Sequence, residues 1–222
     1  MRLDRQQRFA TGLALLPVVA IWLINGIYLA ALARVSVLLF WTADFLQWIV
    51  LPTILLVSLK RRAAIFPRHY GLDTNFLRWQ SPILGSLGVF ITAGGASLLT
   101  RNVSWHLLGE PTGFFNFPGV LPGGPIGKCV WVYSAVTAGL VESIFFVGLP
   151  WLLYHNIRNA PSRRFFVLIV SIVFAAAHWE QGLHVVAAAF AFNLVACAWY
   201  FKLGTLWPVV AGHTLVDLAT FS

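Results

Sequence analysis

Long apolar runs separated by short polar connections make up most of this chain. A helix needs about 20 apolar residues to cross the hydrocarbon core of a bilayer, and runs of roughly that length occur about seven times. We therefore predict an all-α fold, a polytopic transmembrane helical bundle with about seven spans. The predicted spans cover residues 10–33, 35–59, 82–100, 129–153, 165–179, 183–201 and 206–221.

The composition agrees with this pattern. The 222 residues are 59% hydrophobic and only 10% charged, and no ordinary soluble domain has such a balance. The formal charge of +8 does not indicate a nucleic-acid partner, because the basic residues lie between the apolar runs instead of clustering on one face. Two cysteines, Cys129 and Cys197, lack the spacing of metal ligands and are interpreted as core residues. We therefore predict that the protein is embedded in the lipid bilayer.

The positions of Lys and Arg predict the orientation of the bundle. With the N-terminus inside, twelve of the fifteen Lys and Arg residues fall on the inner side, as the positive-inside rule requires. We expect a protein of the bacterial inner (cell) membrane, with a cytoplasmic N-terminus and an external C-terminus. Residues 101–128, rich in Gly, Pro and Phe, form either a plain connector or a lid at the membrane surface.

Ionisable residues inside the apolar runs indicate a functional site. Glu142 lies in the middle of the fourth run, where a charge costs at least ~2.5 kcal/mol, so a partner is expected nearby. His178 lies at the end of the fifth run, and His213 and Asp217 share one helix face in the seventh. His213 and Asp217 could alternatively form only a structural pair. Asp44, in the second run, is either a packing residue or a further acid of the site.

Three stretches resemble the signature motifs of a known family. They are 141–148 around Glu142, Phe174-Ala-Ala-Ala-His178, and His213-Thr-Leu-Val-Asp217. In order and spacing they are similar to those of the CPBP family, the CAAX-prenyl-protease and bacteriocin-processing intramembrane proteases. The resemblance extends over residues 138–217. We expect one integral-membrane domain, residues 1–222, with a family-like catalytic core at about 129–221.

The first motif departs from the family pattern, which is a glutamate pair followed by Phe-Arg-Gly. Ser143 stands where the second glutamate is expected, and Val147 stands where the arginine is expected, although Phe146 and Gly148 fit. These two losses keep a second interpretation open. The chain could be a catalytically degenerate member that acts as an immunity or scaffold protein.

The resemblance implies an intramembrane endopeptidase that cleaves a membrane-anchored protein or peptide substrate. Glu142 and His178 would activate a water molecule, while His213 and Asp217 would stabilise the oxyanion or hold the water. These roles are chemically reasonable, because peptide hydrolysis needs a base, a proton donor and hydrogen-bond donors that point at the oxyanion. A proton-coupled transporter would also bury such groups, but the inverted repeats of transporters are not apparent.

No cofactor or metal is predicted. Two histidines and two carboxylates would suffice for zinc, and family members have been described as metalloproteases, so a zinc site is the alternative. The sequence contains no His-Glu-x-x-His, and the ionisable residues come from three separate helices. We therefore expect a water activated by Glu142 and His178 alone.

Overall fold

A computed structural model describes residues 2–73, 80–109, 113, 115 and 117–220 of the chain. These residues form seven long helices and no strand, which confirms the predicted all-α bundle. The helices are α1 (Arg5–Val35), α2 (Val37–Ala63), α3 (Gln80–Leu108), α4 (Gly124–Tyr154), α5 (Arg163–Ala176), α6 (Leu183–Leu203) and α7 (Trp207–Thr220).

Two of the seven helices are shorter than a membrane span. Helices α1, α2, α3, α4 and α6 are long and apolar enough to cross a bilayer. Helices α5 and α7 have 14 residues each, or about 20 Å at 1.5 Å per residue. The predicted fifth span ran to residue 179, but α5 ends at Ala176, so His178 lies in the connection that follows. Residue Phe221, at the predicted end of the seventh span, lies outside the described residues.

The connection between α3 and α4 is shorter than the predicted 101–128. Helix α3 continues to Leu108 and ends before Gly109, whose φ of 80° lies in the left-handed region. Helix α4 begins at Gly124, with Pro125 in its first turn, where the missing N–H of a proline costs nothing. The apolar run alone could not indicate these ends, because Trp, Gly and Pro serve in helices and connections alike.

Each of α2 and α4 contains a widened π-helical segment. These segments are Leu46–Val50 and Ser143–Gly148, and each is followed two residues later by a proline, Pro52 or Pro150. A proline inside a helix lacks an N–H and clashes with the carbonyl four residues earlier, and a wider turn removes both conflicts. Helix α4 is therefore distorted directly after Glu142, and such π segments often occur at functional sites.

A glycine sets the close contact between α4 and α7. A methyl group at Gly139 would lie 2.8 Å from the backbone nitrogen of Thr214 and 3.0 Å from the carbonyl oxygen of Val210. Because only a residue without a side chain fits here, the two helix backbones approach each other one turn away from Glu142. This contact brings the first and third motifs together.

Candidate active site

The four ionisable side chains singled out in the sequence lie in one cluster. Oε1 of Glu142 is 4.0 Å from Nε2 of His178, and Oε2 of Glu142 is 3.5 Å from Nε2 of His213. The same nitrogen of His213 is 3.6 Å from Oδ2 of Asp217. Helix α4, the connection after α5 and helix α7 thus each contribute to a single group of two carboxyls and two imidazoles, in which Glu142 and His213 are buried and His178 and Asp217 are partly buried.

Glu142 is the last residue of the regular part of α4, and the six residues of the π segment after it are all buried. The hydroxyl of Ser143 donates to the carbonyl oxygen of Gly139 at 2.6 Å, so Ser143 completes a bond within its own helix. Val147 is buried in the apolar core. Neither residue replaces the glutamate or the arginine of the family pattern, and the ionisable partners of Glu142 are the two histidines.

The second motif orients His178. Nδ1 of His178 donates to the carbonyl oxygen of Phe174 at 2.8 Å. Since that carbonyl can only accept, the proton of the neutral ring is on Nδ1 and the lone pair of Nε2 faces Glu142. The ring of Phe174 packs edge-on against Phe146 of the π segment, with centroids 5.3 Å apart. The two motif residues therefore fix both the position and the tautomer of the imidazole.

His213 lies between two carboxyl groups. It projects from the middle of α7, one turn before Asp217, and its ring packs against Phe192 with centroids 4.5 Å apart. Its Nε2 faces Glu142 and Asp217 at nearly equal distances. Asp217 thus contacts His213 and can orient its ring, and the i, i+4 spacing that predicted a shared helix face is reflected in this contact.

A cavity of about 60 Å³ lies beside the cluster, and this is large enough for water. Its wall includes Glu142 and His178, together with Trp22 and Asn25 of α1 and Trp48 of α2. The ring of Trp22 stacks on Trp48 at a centroid distance of 4.7 Å. The N-terminal helices, which carry no recognisable motif, therefore form part of the candidate site.

Sequence reasoning missed Glu180, which also lines this cavity. It lies in a short 3-10 helix, Trp179–Gln181, between α5 and α6, and only 4% of its surface is exposed. In the sequence it looks like part of an ordinary polar connection. The sequence did contain one indication of its position. Glu180 is an acidic residue only two positions after His178, in a connection so short that it must lie near the site.

Asp44 belongs to a different part of the bundle. Its Oδ2 accepts a hydrogen bond of 3.1 Å from the hydroxyl of Tyr133 on α4, and it is not among the residues that line the cavity. This contact ties α2 to α4. Of the two interpretations of Asp44, the geometry favours the packing residue.

Among the described residues, no group of three or more His, Cys, Asp or Glu side chains is arranged to hold a metal ion. The independence of the reaction from metal stays a prediction.

Residues 126–219 match the model of a protein family described as type II CAAX prenyl endopeptidase Rce1-like. The matched segment extends from the start of α4 to the end of α7, and contains Glu142, His178, Glu180, His213 and Asp217. No curated protein and no solved structure matches the chain. The match confirms the resemblance that the three motifs indicate.

Proposed function

The C-terminal part of the chain, residues 126–219, belongs to the family of CAAX-type intramembrane endopeptidases, and we propose that the protein hydrolyses peptide bonds of membrane-anchored proteins with a water activated by Glu142 and His178. The family supports a protease in general. The water molecule as the attacking group and membrane-anchored proteins as the substrates are what we propose beyond this.

The observation that carries the proposal is the pairing of Glu142 with His178 beside a cavity. Their facing atoms, Oε1 and Nε2, are 4.0 Å apart, which is too long for a direct hydrogen bond. One water molecule can bridge two acceptors at this separation by donating to both. Glu142 then takes a proton as the water attacks the scissile carbonyl, and His178 holds the water in place.

His213 is the proposed donor to the oxyanion that forms in this attack. Its Nε2 lies 3.5 Å from Oε2 of Glu142. When a water molecule held by Glu142 attacks a carbonyl carbon, the oxygen of that carbonyl therefore comes close to Nε2 of His213. Asp217, 3.6 Å from the same atom, is a positioning residue that holds the imidazole. Preorganised donors of this kind contribute the largest single effect in many hydrolases.

The protein is an integral membrane protein, and we propose that its N-terminus is cytoplasmic and its C-terminus external, in a bacterial inner membrane. Support comes from the helix ends. Lys60, Arg61 and Arg62 occupy the last turn of α2, Arg163 begins α5, and Lys202 lies in the last turn of α6. The up-and-down order of the seven helices puts all these ends on the same side, which the positive-inside rule assigns to the cytoplasm.

A proteolysis assay tests the proposed function. The purified protein, reconstituted in liposomes, is incubated with a panel of membrane-anchored peptides, and the products are identified by mass spectrometry. Wild type is expected to cleave at least one peptide. Glu142→Gln, which keeps the shape of the side chain but removes the base, and His178→Ala are each expected to lower the rate by about 10²-fold or more.

His155→Ala is the matched control. Nδ1 of His155 contacts the carbonyl oxygen of Trp151, four residues earlier, at 2.8 Å, so this histidine has the same local bond as His178 but is exposed at the end of α4. The control should retain wild-type activity. If wild type cleaves no peptide, a scaffold or immunity role becomes the better interpretation. If wild type cleaves but Glu142→Gln cleaves just as fast, the protein is a protease and the proposed role of Glu142 is wrong.

A further inference from the structure

Glu180 is a buried acid with an unsatisfied oxygen. Its Oε1 accepts a long hydrogen bond of 3.5 Å from the side-chain amide of Gln181. Its Oε2 is buried and has no hydrogen-bond partner among the described residues. Leaving a polar atom of this kind unsatisfied is costly, so it calls for an explanation. Within the part of the chain that the structure describes, no cationic side chain pairs with Glu180, and a structural salt bridge therefore does not explain its burial.

The bundle is shaped to receive this side chain. A methyl group at Gly26 of α1 would lie 2.7 Å from Cγ of Glu180, closer than real contacts allow, so the absence of a side chain there lets Glu180 pack directly on the helix. The indole nitrogen of Trp179 donates to the carbonyl oxygen of Leu23 at 2.9 Å. The backbone N–H of Phe115 donates to the carbonyl oxygen of Glu180 at 3.3 Å. The connection is thus held from two sides.

Two further unsatisfied atoms belong to the wall of the same cavity. Nε1 of Trp22 and Oδ1 of Asn25 are buried and have no hydrogen-bond partner in the described ranges of the chain, and both residues line the cavity with Glu142, His178 and Glu180. Three residues that each have an unsatisfied polar atom therefore lie in the wall of one space that is large enough for water. Because Glu142 and Glu180 both line this cavity, water in it can connect the two residues.

We propose that Glu180 is a second proton-exchanging carboxyl of the active site, which donates a proton to the leaving amine. The proposal rests on the proposed function. It gives the site a second acid in place of the one that is lost at Ser143, supplied by the connection between α5 and α6 instead of by α4.

The proton balance closes over one turnover. Glu142 takes a proton from the attacking water, and the tetrahedral intermediate forms. Protonated Glu180 gives its proton to the amide nitrogen, the C–N bond breaks, and the electron pair leaves with the amine. Glu142 now carries the surplus proton and Glu180 is ionised. A proton passes from Glu142 to Glu180 through the water of the cavity, which restores both groups.

The test uses leaving groups that differ in their need for a proton. An amine cannot leave an amide unprotonated, whereas 4-nitrophenolate leaves an ester without assistance. We compare the peptide that wild type cleaves with the 4-nitrophenyl ester of the same acyl segment. Glu180→Gln should lower kcat on the amide by about 10²-fold and leave the ester rate nearly unchanged. Glu180→Asp should retain part of the amide activity, and Glu142→Gln should lower both rates.

A second pair of variants changes the position of Glu180 but leaves its chemistry intact. Gly26→Ala should displace the side chain and reproduce the selective loss of amide hydrolysis. Gly12→Ala, on the same helix, is the control, because a methyl group there meets Leu153 only at an ordinary 3.9 Å. Equal losses on amide and ester in Glu180→Gln, or no loss on either, would overturn the role of Glu180 alone. A wild type that cleaves neither substrate would overturn the proposed function as well.

Discussion

Nε2 of His213 lies 3.5 Å from Oε2 of Glu142, although 71 positions separate the two residues in the chain. Their meeting depends on the close packing of α4 and α7 at Gly139. The carboxyl of Glu142 thereby has one oxygen facing His213 and the other facing His178. One carboxyl group at the centre can take part in both activating the water and orienting the oxyanion donor.

The first prediction concerns the order of importance of His213 and Asp217. His213→Ala should lower kcat by about 10²- to 10³-fold, as loss of an oxyanion donor does. Asp217→Asn should have a smaller effect, because in the proposed mechanism Asp217 acts only through the imidazole of His213. The double variant His213→Ala/Asp217→Asn should be no slower than His213→Ala, since residues that act as a unit are not additive. Steady-state kinetics on a cleaved peptide measures all three rates.

Additive losses in that double variant would contradict the positioning role of Asp217. They would mean that Asp217 contributes to the reaction independently of His213. A variant that fails to fold would also lose activity. The melting temperature of each variant is therefore measured in parallel with its cleavage rate.

The second prediction concerns the contact between α4 and α7. Gly139→Ala should destabilise the protein by about 1–3 kcal/mol, as overpacking in a tight contact does, and it should lower activity because Glu142 moves away from His213. Gly95→Ala, in α3, is the control, because a methyl group there meets no atom within 4 Å. Thermal unfolding in detergent and the cleavage rate give both quantities. Equal effects of the two substitutions would be inconsistent with the contact.

The third prediction concerns metal. Activity should survive exhaustive chelation, and elemental analysis should find less than one zinc per chain, because in the proposed mechanism Glu142 and His178 activate the water without a metal. Zinc in a one-to-one ratio, lost together with activity in Glu142→Ala or His213→Ala, would show instead that the cluster is a metal site.

The fourth prediction concerns the side to which the site opens. With Cys129 and Cys197 replaced, Trp179→Cys should react with a membrane-impermeant maleimide added outside intact cells, because Trp179 lies beside the site in the connection after α5 and is 40% exposed. In the proposed orientation α1 ends outside and α2 ends inside, so Val35→Cys in the last turn of α1 is the positive control and Arg61→Cys in the last turn of α2 is the negative one. Labelling of Trp179→Cys only after the inner face is exposed would mean that the site opens to the cytoplasm.

The sequence predicted the fold and singled out the four ionisable residues because both rest on local patterns, whereas the meeting of these residues depends on contacts between distant segments. Long apolar runs predict helices. A carboxylate in the middle of such a run, such as that of Glu142, is rare enough to indicate a functional site. The i, i+4 spacing of His213 and Asp217 then put both on one face of α7. The match of residues 126–219 to the family model agrees with this pattern.

The sequence did not reveal Glu180 or the wall provided by α1, because both depend on contacts between distant segments. Glu180 is buried only because Gly26 leaves room for it, and a glycine in an apolar run gives no sign of what it will face. Likewise, Trp22 and Asn25 belong to a helix without a motif. The short length of α5 was missed because hydrophobicity continues past Ala176 into the connection.

The widened segment Ser143–Gly148 has a consequence for how this helix tolerates change in length. A π turn accommodates one residue more than an α turn, and each residue rotates a helix by about 100°. Pro150 still requires a wider turn after any single residue of the segment is deleted. The turn would then have to take a residue from one of the two regular halves, which would rotate the half that ends at Glu142 relative to the half that contains Pro150. The reactive geometry thus depends on the number of residues in this segment. A deletion that removes no side chain of the site would still misalign it.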